Sequence, residues 1–160
     1  MDESRIVYRR ATVWDAYAIA DMWELEMNEM KMSGRHCDSI EKEKFLIGTL
    51  IRINDKTGTK FVLVAEHNKR IISFITGGVT LKEFGTSKVI GYCEHRYTYT
   101  KYRSKGVSSK LLNHLIDILI KQKAKELEFI TKYDERLVKI YKKMGYEPYS
   151  IHYRKEVNHG

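Results

Sequence analysis

The chain has 160 residues and a net charge of +8, and its 42% hydrophobic and 31% charged residues are typical of one ordinary globular domain, 1–160. No apolar run reaches the roughly 18–20 residues that cross a membrane, and no signal-type stretch follows the first residues, so we expect a cytoplasmic protein without membrane contact. Two distant cysteines, Cys37 and Cys93, and six scattered histidines argue against a disulfide framework and against a metal site.

The first third of the chain predicts one strand followed by two helices. Residues 6–11 are β-branched and aromatic, as in a strand, and Thr12 then offers a capping oxygen three residues before Asp15. Apolar residues follow at spacings of three and four and predict a helix to about residue 32: Ala16, Ile19, Ala20, Trp23, Met27 and Met30. After a break at 33–36, a second apolar stripe predicts a helix over 40–53.

The rest of the chain predicts a sheet with covering helices. Strands are predicted at 61–66, 71–81 and 89–99, and Gly77-Gly78 within the second of them indicates a bend or bulge. An amphipathic helix over 107–122, a strand at 127–131, a helix at 134–144 and a strand at 146–157 complete the order β-α-α-β-β-β-α-β-α-β. This order predicts an α+β fold with α/β-type layers, in which a mixed, mostly antiparallel twisted sheet carries helices on both faces.

The junction between the strand at 89–99 and the helix at 107–122 has the features of an anion site. A short turn there carries Arg103, Lys105 and Gly106, and the helix starts at once. The first turn of a helix has unpaired N–H groups and a partial positive charge, so a pyrophosphate placed there finds ready donors. Gly106 allows close approach because it has no Cβ. No GxxxxGK[ST] run and no GxGxxG after a strand are present.

Two segments resemble the GNAT superfamily of acetyltransferases. Arg103-Ser104-Lys105-Gly106-Val107-Ser108 resembles the family signature R/Q-x-x-G-x-G/A. Downstream, the segment from Asp134 through Tyr141 to Gly145-Tyr146 resembles the family stretch N-x-x-A-x-x-x-Y-x-x-x-G-F/Y. The predicted element order is also similar to that of the family over nearly the whole chain. Ser108, where the family usually has Gly or Ala, and Asp134, where it often has Asn, depart from the pattern.

The resemblance implies that acetyl-coenzyme A is the co-substrate and that no metal takes part. It further implies that a bulge splays the fourth strand from the fifth, and that the pantetheine arm pairs with exposed strand backbone, one N–H of which holds the oxyanion of a tetrahedral intermediate. The cofactor-binding residues implied in this way are Thr98, Tyr99, Arg103, Ser104, Lys105, Gly106, Val107, Ser108 and Asp134. For Asp134, a plain helix N-cap is an equal interpretation.

Two residues are the candidates for proton transfer. Glu94 lies four residues before Thr98, on the same strand face by period two, at a position that resembles the acidic position of many relatives. It is the predicted proton acceptor; a simple ion pair is the alternative interpretation, and His95, on the opposite face, is a weaker rival. Tyr141 matches the helix tyrosine of the family and is the predicted proton donor to the departing thiolate, with a core position as the alternative.

The acceptor is predicted only as a primary amine, on a small molecule or a protein. The first predicted helix is acidic, with Glu24, Glu26 and Glu29, which suits a cationic amine, and Tyr92, Tyr97, Tyr99 and Tyr102 offer pocket walls or packing. Two other function classes stay open. One is a non-catalytic acyl-coenzyme A-binding or sensor module; the other, disfavoured by the lack of a nucleic-acid-binding motif, is a basic nucleic-acid-binding domain. A homodimer also stays open.

Overall fold

The computed structural model describes residues 6–30, 38–81, 88–129 and 135–149, which fall into two compact units divided after residue 130. The first unit contains, in chain order, β1 (Ile6–Arg10), α1 (Ala16–Met30), α2 (Ser39–Ile53), β2 (Lys60–His67), β3 (Arg70–Leu81), β4 (Val89–Thr98), α3 (Val107–Lys121) and β5 (Glu126–Phe129). The second unit contains α4 (Glu135–Lys143). No helix in these ranges is long and apolar enough to cross a membrane.

The five strands form one sheet in the order β1-β2-β3-β4-β5. The first three pairings are antiparallel, and β4 pairs with β5 in parallel. The predicted mixed, mostly antiparallel sheet is therefore confirmed. Pairing between β4 and β5 runs from Ile90–Glu126 to Cys93–Phe129, so β5 accompanies only the first part of β4.

Helices cover both faces of the sheet, as predicted. On one face, Ile19 and Met22 of α1 pack with Val62, Val64 and Phe74. On the other, α3 packs its apolar stripe against alternate residues of the same strands: Phe61, Leu63, Ile75 and Cys93 meet Leu111, Leu112, Leu115 and Leu119. The four leucines are almost fully buried, and each stabilises the fold by about 1.5–3 kcal/mol relative to exposure.

A β-bulge interrupts the pairing of β3 with β4. Ile75 lies opposite Arg96 but Gly77 lies opposite Cys93, so two residues of β4 face the single residue Thr76. The bulge expected from Gly77-Gly78 is confirmed, with the extra residue on the partner strand. A Cβ on Gly77 would come 2.3 Å from the Tyr92 carbonyl oxygen, which explains glycine at this close approach. Beyond the bulge the facing of β4 changes, because Cys93 packs with α3 whereas Tyr97 packs with α1.

The start of α1 is fixed by an ion-pair cluster. The Asp15 carboxylate accepts hydrogen bonds from the Thr12 backbone N–H at 2.7 Å and from both Arg9 Nη atoms at 2.7 and 2.9 Å. Arg9 also bonds Glu66 of β2 at 2.7 Å. Burial opposes ionisation of Asp15, but the hydrogen bonds from Arg9 and Thr12 outweigh it and lower the pKa of this carboxyl. The predicted link between Thr12 and Asp15 is present, and Arg9 of β1 connects the 3₁₀ turn Val13–Asp15, just before α1, to Glu66 of β2.

Most predicted bounds agree with the structure within one or two residues, and the differences lie toward the end of the chain. Strand β5 begins at Glu126, one residue before its predicted start. No strand is present at 146–149, where the closing strand was expected to begin, and Pro148 in this stretch lacks the N–H that a ladder needs. Residues 150–157, like 31–32 of the first predicted helix, lie outside the described residues.

Candidate functional site

The predicted anion site lies on an exposed turn between β4 and α3. A single 3₁₀ turn, Thr100–Tyr102, follows the strand, and residues 103–106 are exposed up to the first residue of α3. Ser104 and Gly106 both have positive φ, 59° and 76°. Left-handed backbone at these two positions turns the chain abruptly into the helix, and glycine adopts it without steric cost.

The first backbone N–H groups of α3 have no hydrogen-bond partner among the described residues; Val107 is buried, Ser108 is half-buried and Ser109 is exposed. Gly106 is the N-cap, and in the described chain no side chain caps the helix. The first backbone bond of the helix runs from Lys110 N–H to the Gly106 carbonyl, 2.9 Å, so the N–H groups of 107–109 precede the intrahelical ladder. A Cβ placed on Gly106 would meet no atom within 4 Å. The residues present therefore fit an anionic diphosphate: donors, a partial positive charge and free space coincide here.

Tyr102 anchors this turn to the body of the unit. Its ring is buried, and its hydroxyl lies 3.1 Å from Nδ1 of His67 at the end of β2. The ammonium groups of Lys101 and Lys105 lie 5.1 and 5.9 Å from the Tyr102 ring centroid, and Lys105 Nζ donates to the Lys101 carbonyl at 2.7 Å. Cation–π contacts with the Tyr102 ring thus hold both lysine ammonium groups at the turn.

The Arg103 side chain is engaged with the strand end and α1. Its Nε donates to the Thr98 carbonyl at 2.8 Å, and its Nη2 donates to both carboxylate oxygens of Glu29. The guanidinium also lies 5.0 Å from the Tyr97 ring centroid. The Tyr97 hydroxyl donates to Glu29 at 2.7 Å, and burial, with this bond, raises the pKa of Tyr97 to about 12. Arg103 therefore connects the turn to the end of β4 and to α1.

The backbone expected to receive the pantetheine arm is partly occupied. The Thr98 carbonyl accepts from Arg103, and the Tyr99 N–H donates to the Ile72 carbonyl at 3.1 Å. The expectation of exposed backbone is wrong for these two groups, because the chain bends at the strand end and satisfies them internally. The side chain of Thr98 is also buried, 2.7 Å from the Ser73 hydroxyl.

Glu94 and His95 both lie against the helical layer of α1 and α2. Glu94 Oε2 forms an ion pair with Arg52 of α2. The His95 ring meets Trp23 of α1 and Phe45 of α2 edge-on, with centroid distances of 6.1 and 5.3 Å. The prediction that His95 points to the opposite face is therefore wrong, because the bulge interrupts the period-two alternation. The prediction that Glu94 and Thr98 share a strand face is wrong for the same reason. Glu94 pairs with Arg52 on the side of α1 and α2, where Tyr97 also packs, and Thr98 follows Tyr97 on the other face.

The three glutamates of α1 have different environments. Glu24 bonds Lys42 of α2 at 2.8 Å, and Glu29 bonds Arg103. Glu26 is 7% exposed; its Oε1 accepts from the Arg96 N–H at 3.2 Å, and its Oε2 lies 3.4 Å from His95 Nδ1. Of these three glutamates, Glu26 is the one that contacts residues at the bulge.

Several buried polar atoms of α1 and α2 have no hydrogen-bond partner among the described residues. They are Trp23 Nε1, Glu26 Oε2, Thr49 Oγ1 and Arg52 Nη1. Buried polar groups are normally satisfied, so this region next to the bulge has the donors and acceptors of a binding region. The sequence contained no signal for Thr49 or Arg52, because their roles depend on how the two helices pack against β4.

Comparison with known proteins agrees with this geometry. The model of the acetyltransferase (GNAT) family matches residues 19–146, which include most of α1, the bulge and the turn before α3. The chain belongs to the GNAT acetyltransferase family. Among curated proteins, no sequence matches it.

Solved structures show the same fold as this GNAT chain at low identity. A possible acetyltransferase from Clostridium difficile 630 has a TM-score of 0.75 at 18% identity and covers 96% of this chain and 99% of its own. A predicted acetyltransferase with acetyl-CoA from Clostridium acetobutylicum has a TM-score of 0.76 at 14% identity, covering 94% and 96%. An aminoglycoside acetyltransferase from an uncultured soil metagenomic sample, in complex with sisomicin, has a TM-score of 0.72 at 14% identity, covering 99% and 100%. The GNAT fold is thus shown over nearly the whole chain.

The second GNAT-like segment lies in the second unit. Tyr141, on α4, is half-buried, and its ring packs edge-on against Tyr146 at 5.7 Å. Its carbonyl accepts from the N–H groups of Met144 and Tyr146, which closes the helix at Gly145. Asp134 lies outside the described residues.

Proposed function

We propose that this GNAT protein transfers an acetyl group from acetyl-coenzyme A to a primary amine by direct attack of the amine. The observation that carries the proposal is the uncapped first turn of α3. Its N–H groups of 107–109 follow the left-handed Gly106, beside which there is free space, and no described side chain caps them. In a member of an acetyltransferase family, this is where a diphosphate finds preformed donors.

The coenzyme would be held mainly by backbone groups. The amides of Val107 and Ser108, with Gly106 and the left-handed Ser104, form the proposed pyrophosphate cradle, and Lys105 adds long-range attraction. Arg103 contributes by fixing the turn to the Thr98 carbonyl. Tyr99, whose N–H is bound to the Ile72 carbonyl, connects the end of β4 to the turn. Asp134 is proposed from the family pattern alone. The bound coenzyme supplies the acetyl group in activated form, as a thioester.

The chain's own residues must manage two protons. A lysine-like amine with a pKa near 10.4 is only about 0.1% neutral near pH 7.4, so a proton acceptor speeds the attack. Glu94 stays a predicted acceptor, although its Oε2 is engaged by Arg52. Tyr141 is the proposed donor to the departing sulfur, because a phenol and an alkyl thiol hold their protons with comparable strength.

The acceptor is proposed as a cationic amine that approaches α1 and α2 next to the bulge. Glu26 and the other polar atoms that lack partners support this location. One solved structure with the same fold is an aminoglycoside acetyltransferase in complex with sisomicin, so aminoglycosides are the first class of amine to test.

The proposal is tested by titration of the protein with coenzyme A in a calorimeter, followed by thiol release from acetyl-coenzyme A with spermidine, sisomicin and a lysine peptide. We expect micromolar binding and thiol release with at least one amine. A dissociation constant above about 1 mM would contradict the proposal. Binding without release from any amine would favour the sensor alternative, and tight DNA binding with a steep salt dependence would favour the nucleic-acid alternative.

A further inference from the structure

The bulge of β4 places His95 in a fixed position. Glu94 and His95 together face Thr76 of β3, and the His95 backbone N–H donates to Thr76 Oγ1 at 3.2 Å. Thr76 is buried. The backbone at the extra residue is therefore tied by a buried side chain, and the imidazole leaves the strand from a defined point.

An aromatic pair then orients the imidazole. Trp23 and Phe45 stack on each other at 4.4 Å with an interplanar angle of 6°, and the edge of each faces the His95 ring at nearly a right angle. The His95 side chain is 31% exposed. The ring is thus held from the side of α1 and α2 while part of it stays accessible.

Glu26 lies at one ring nitrogen. Its Oε2 is 3.4 Å from His95 Nδ1, longer than a good hydrogen bond, and it has no other partner among the described residues. Its Oε1 is fixed by the Arg96 N–H. A carboxylate held beside Nδ1 selects the tautomer with the proton on Nδ1 and leaves the lone pair on Nε2. Such contacts are often long before a substrate binds.

The charged groups near the His95 ring make His95 a better placed base than Glu94. Glu26 comes from α1, Arg52 from α2, and Glu94 and Arg96 flank His95 on β4. Arg52 is paired with Glu94, so that carboxylate already has a donor at contact distance. In His95, by contrast, the Glu26 contact uses Nδ1 and leaves Nε2 for a substrate.

We propose that His95 is the proton acceptor for the amine and that Glu26 is its positioning residue. This inference rests on the proposed acetyl transfer. His95 Nε2 takes one proton from the ammonium and leaves a neutral amine. When the nitrogen bonds the thioester carbon, the C–S bond breaks with its electron pair on sulfur, and the further proton lost by nitrogen balances the one that sulfur gains.

The kinetic test compares His95→Gln and His95→Asn with His114→Gln, a matched control on the exposed side of α3. With acetyl-coenzyme A and the best amine of spermidine, sisomicin and lysine peptide, we expect both His95 variants to lose about 10²-fold or more in kcat, with coenzyme binding unchanged. The part of the wild-type rise of kcat/KM with pH that comes from the imidazole should be absent in both, which leaves only the rise that follows deprotonation of the amine itself. Glu26→Gln should lower kcat about ten-fold and keep the pH-dependent rise.

A second measurement does not depend on finding the amine. Nitrogen NMR of labelled protein, recorded at a pH at which imidazoles are neutral, should show the His95 proton on Nδ1, and Glu26→Gln should shift the population toward the Nε2–H form. Failure of coenzyme binding would overturn the acetyl transfer and, with it, the role of His95 as its base, whereas the tautomer would still report whether Glu26 positions the imidazole. Normal coenzyme binding and turnover with unchanged kcat in the His95 variants, loss of turnover only in Glu94→Gln, or an Nε2–H tautomer in the wild type would overturn this inference.

Discussion

Nη2 of Arg103 lies 2.8 Å from Oε2 of Glu29, so the first residue of the family signature is bound to α1. The same guanidinium donates through Nε to the Thr98 carbonyl. A planar fork that makes both bonds ties together the strand end, the turn and α1. Arg103 acts, in this account, through the shape of the turn more than through its charge.

Arg103→Lys keeps the charge but loses the fork. We expect it to weaken coenzyme A binding about as much as Arg103→Ala does, roughly five-fold, or about 1 kcal/mol. Calorimetric titration of both variants checks this. Wild-type affinity in Arg103→Lys together with weak binding in Arg103→Ala would show that charge alone matters.

Gly106→Val should lower coenzyme A affinity at least about ten-fold, because its side chain enters the open space beside the helix amides and strains a positive φ. Gly58→Val is the matched control: Gly58 has φ +69° and also has no atom within 4 Å of a built Cβ, but it lies between α2 and β2. Both variants should lose similar stability, about 1–2 kcal/mol. Equal coenzyme affinity in the two variants would contradict the proposed cradle.

Tyr141→Phe should lower kcat about a hundred-fold while coenzyme affinity changes little, because only the hydroxyl is removed. Tyr149→Phe serves as the control, since Tyr149 lies in the same unit and is 77% exposed. Steady-state thiol release measures both. Unchanged turnover in Tyr141→Phe would remove this residue from the mechanism.

Asp15→Asn should destabilise the protein by about 1–3 kcal/mol at neutral pH, because Arg9 loses a charged partner. The pKa of Asp15 is lowered in the folded state, so its contribution is fully present above the ordinary value of 3.8 and is lost as the pH falls through the lower folded value. Urea unfolding at several pH values should show a gap between variant and wild type that narrows below about pH 4. Asp117→Asn, on the exposed side of α3, should stay within about 0.5 kcal/mol at every pH.

The sequence was sufficient for features that depend on local chemistry. The stripe of Leu111, Leu115 and Leu119 predicted α3 because its spacing is helical, and Gly106 indicated a close approach of backbone at the turn because glycine has no Cβ. The family resemblance was also readable, since each of its two segments is continuous in the chain. These features need no knowledge of which elements meet in space.

The site next to the bulge was not predictable in the same way. Gly77-Gly78 indicated an irregularity, but the extra residue lies on the partner strand, and the facing of β4 departs from simple alternation from His95 onward. The sequence does not distinguish Glu24, Glu26 and Glu29, which are the same residue type on one helix. Glu26 is the buried one because of how α1 packs on β4. Arg52 and Glu94 form an ion pair although they are 42 residues apart in the sequence, and local sequence patterns do not predict a contact over such a separation.

The most direct test of the central claim is a crystal structure of the whole chain with acetyl-coenzyme A. We expect density for the diphosphate within hydrogen-bonding distance of the N–H groups of residues 107–109. The turn at Gly106 should keep its left-handed backbone. A diphosphate bound elsewhere on the protein, or no bound coenzyme at millimolar concentration, would contradict it.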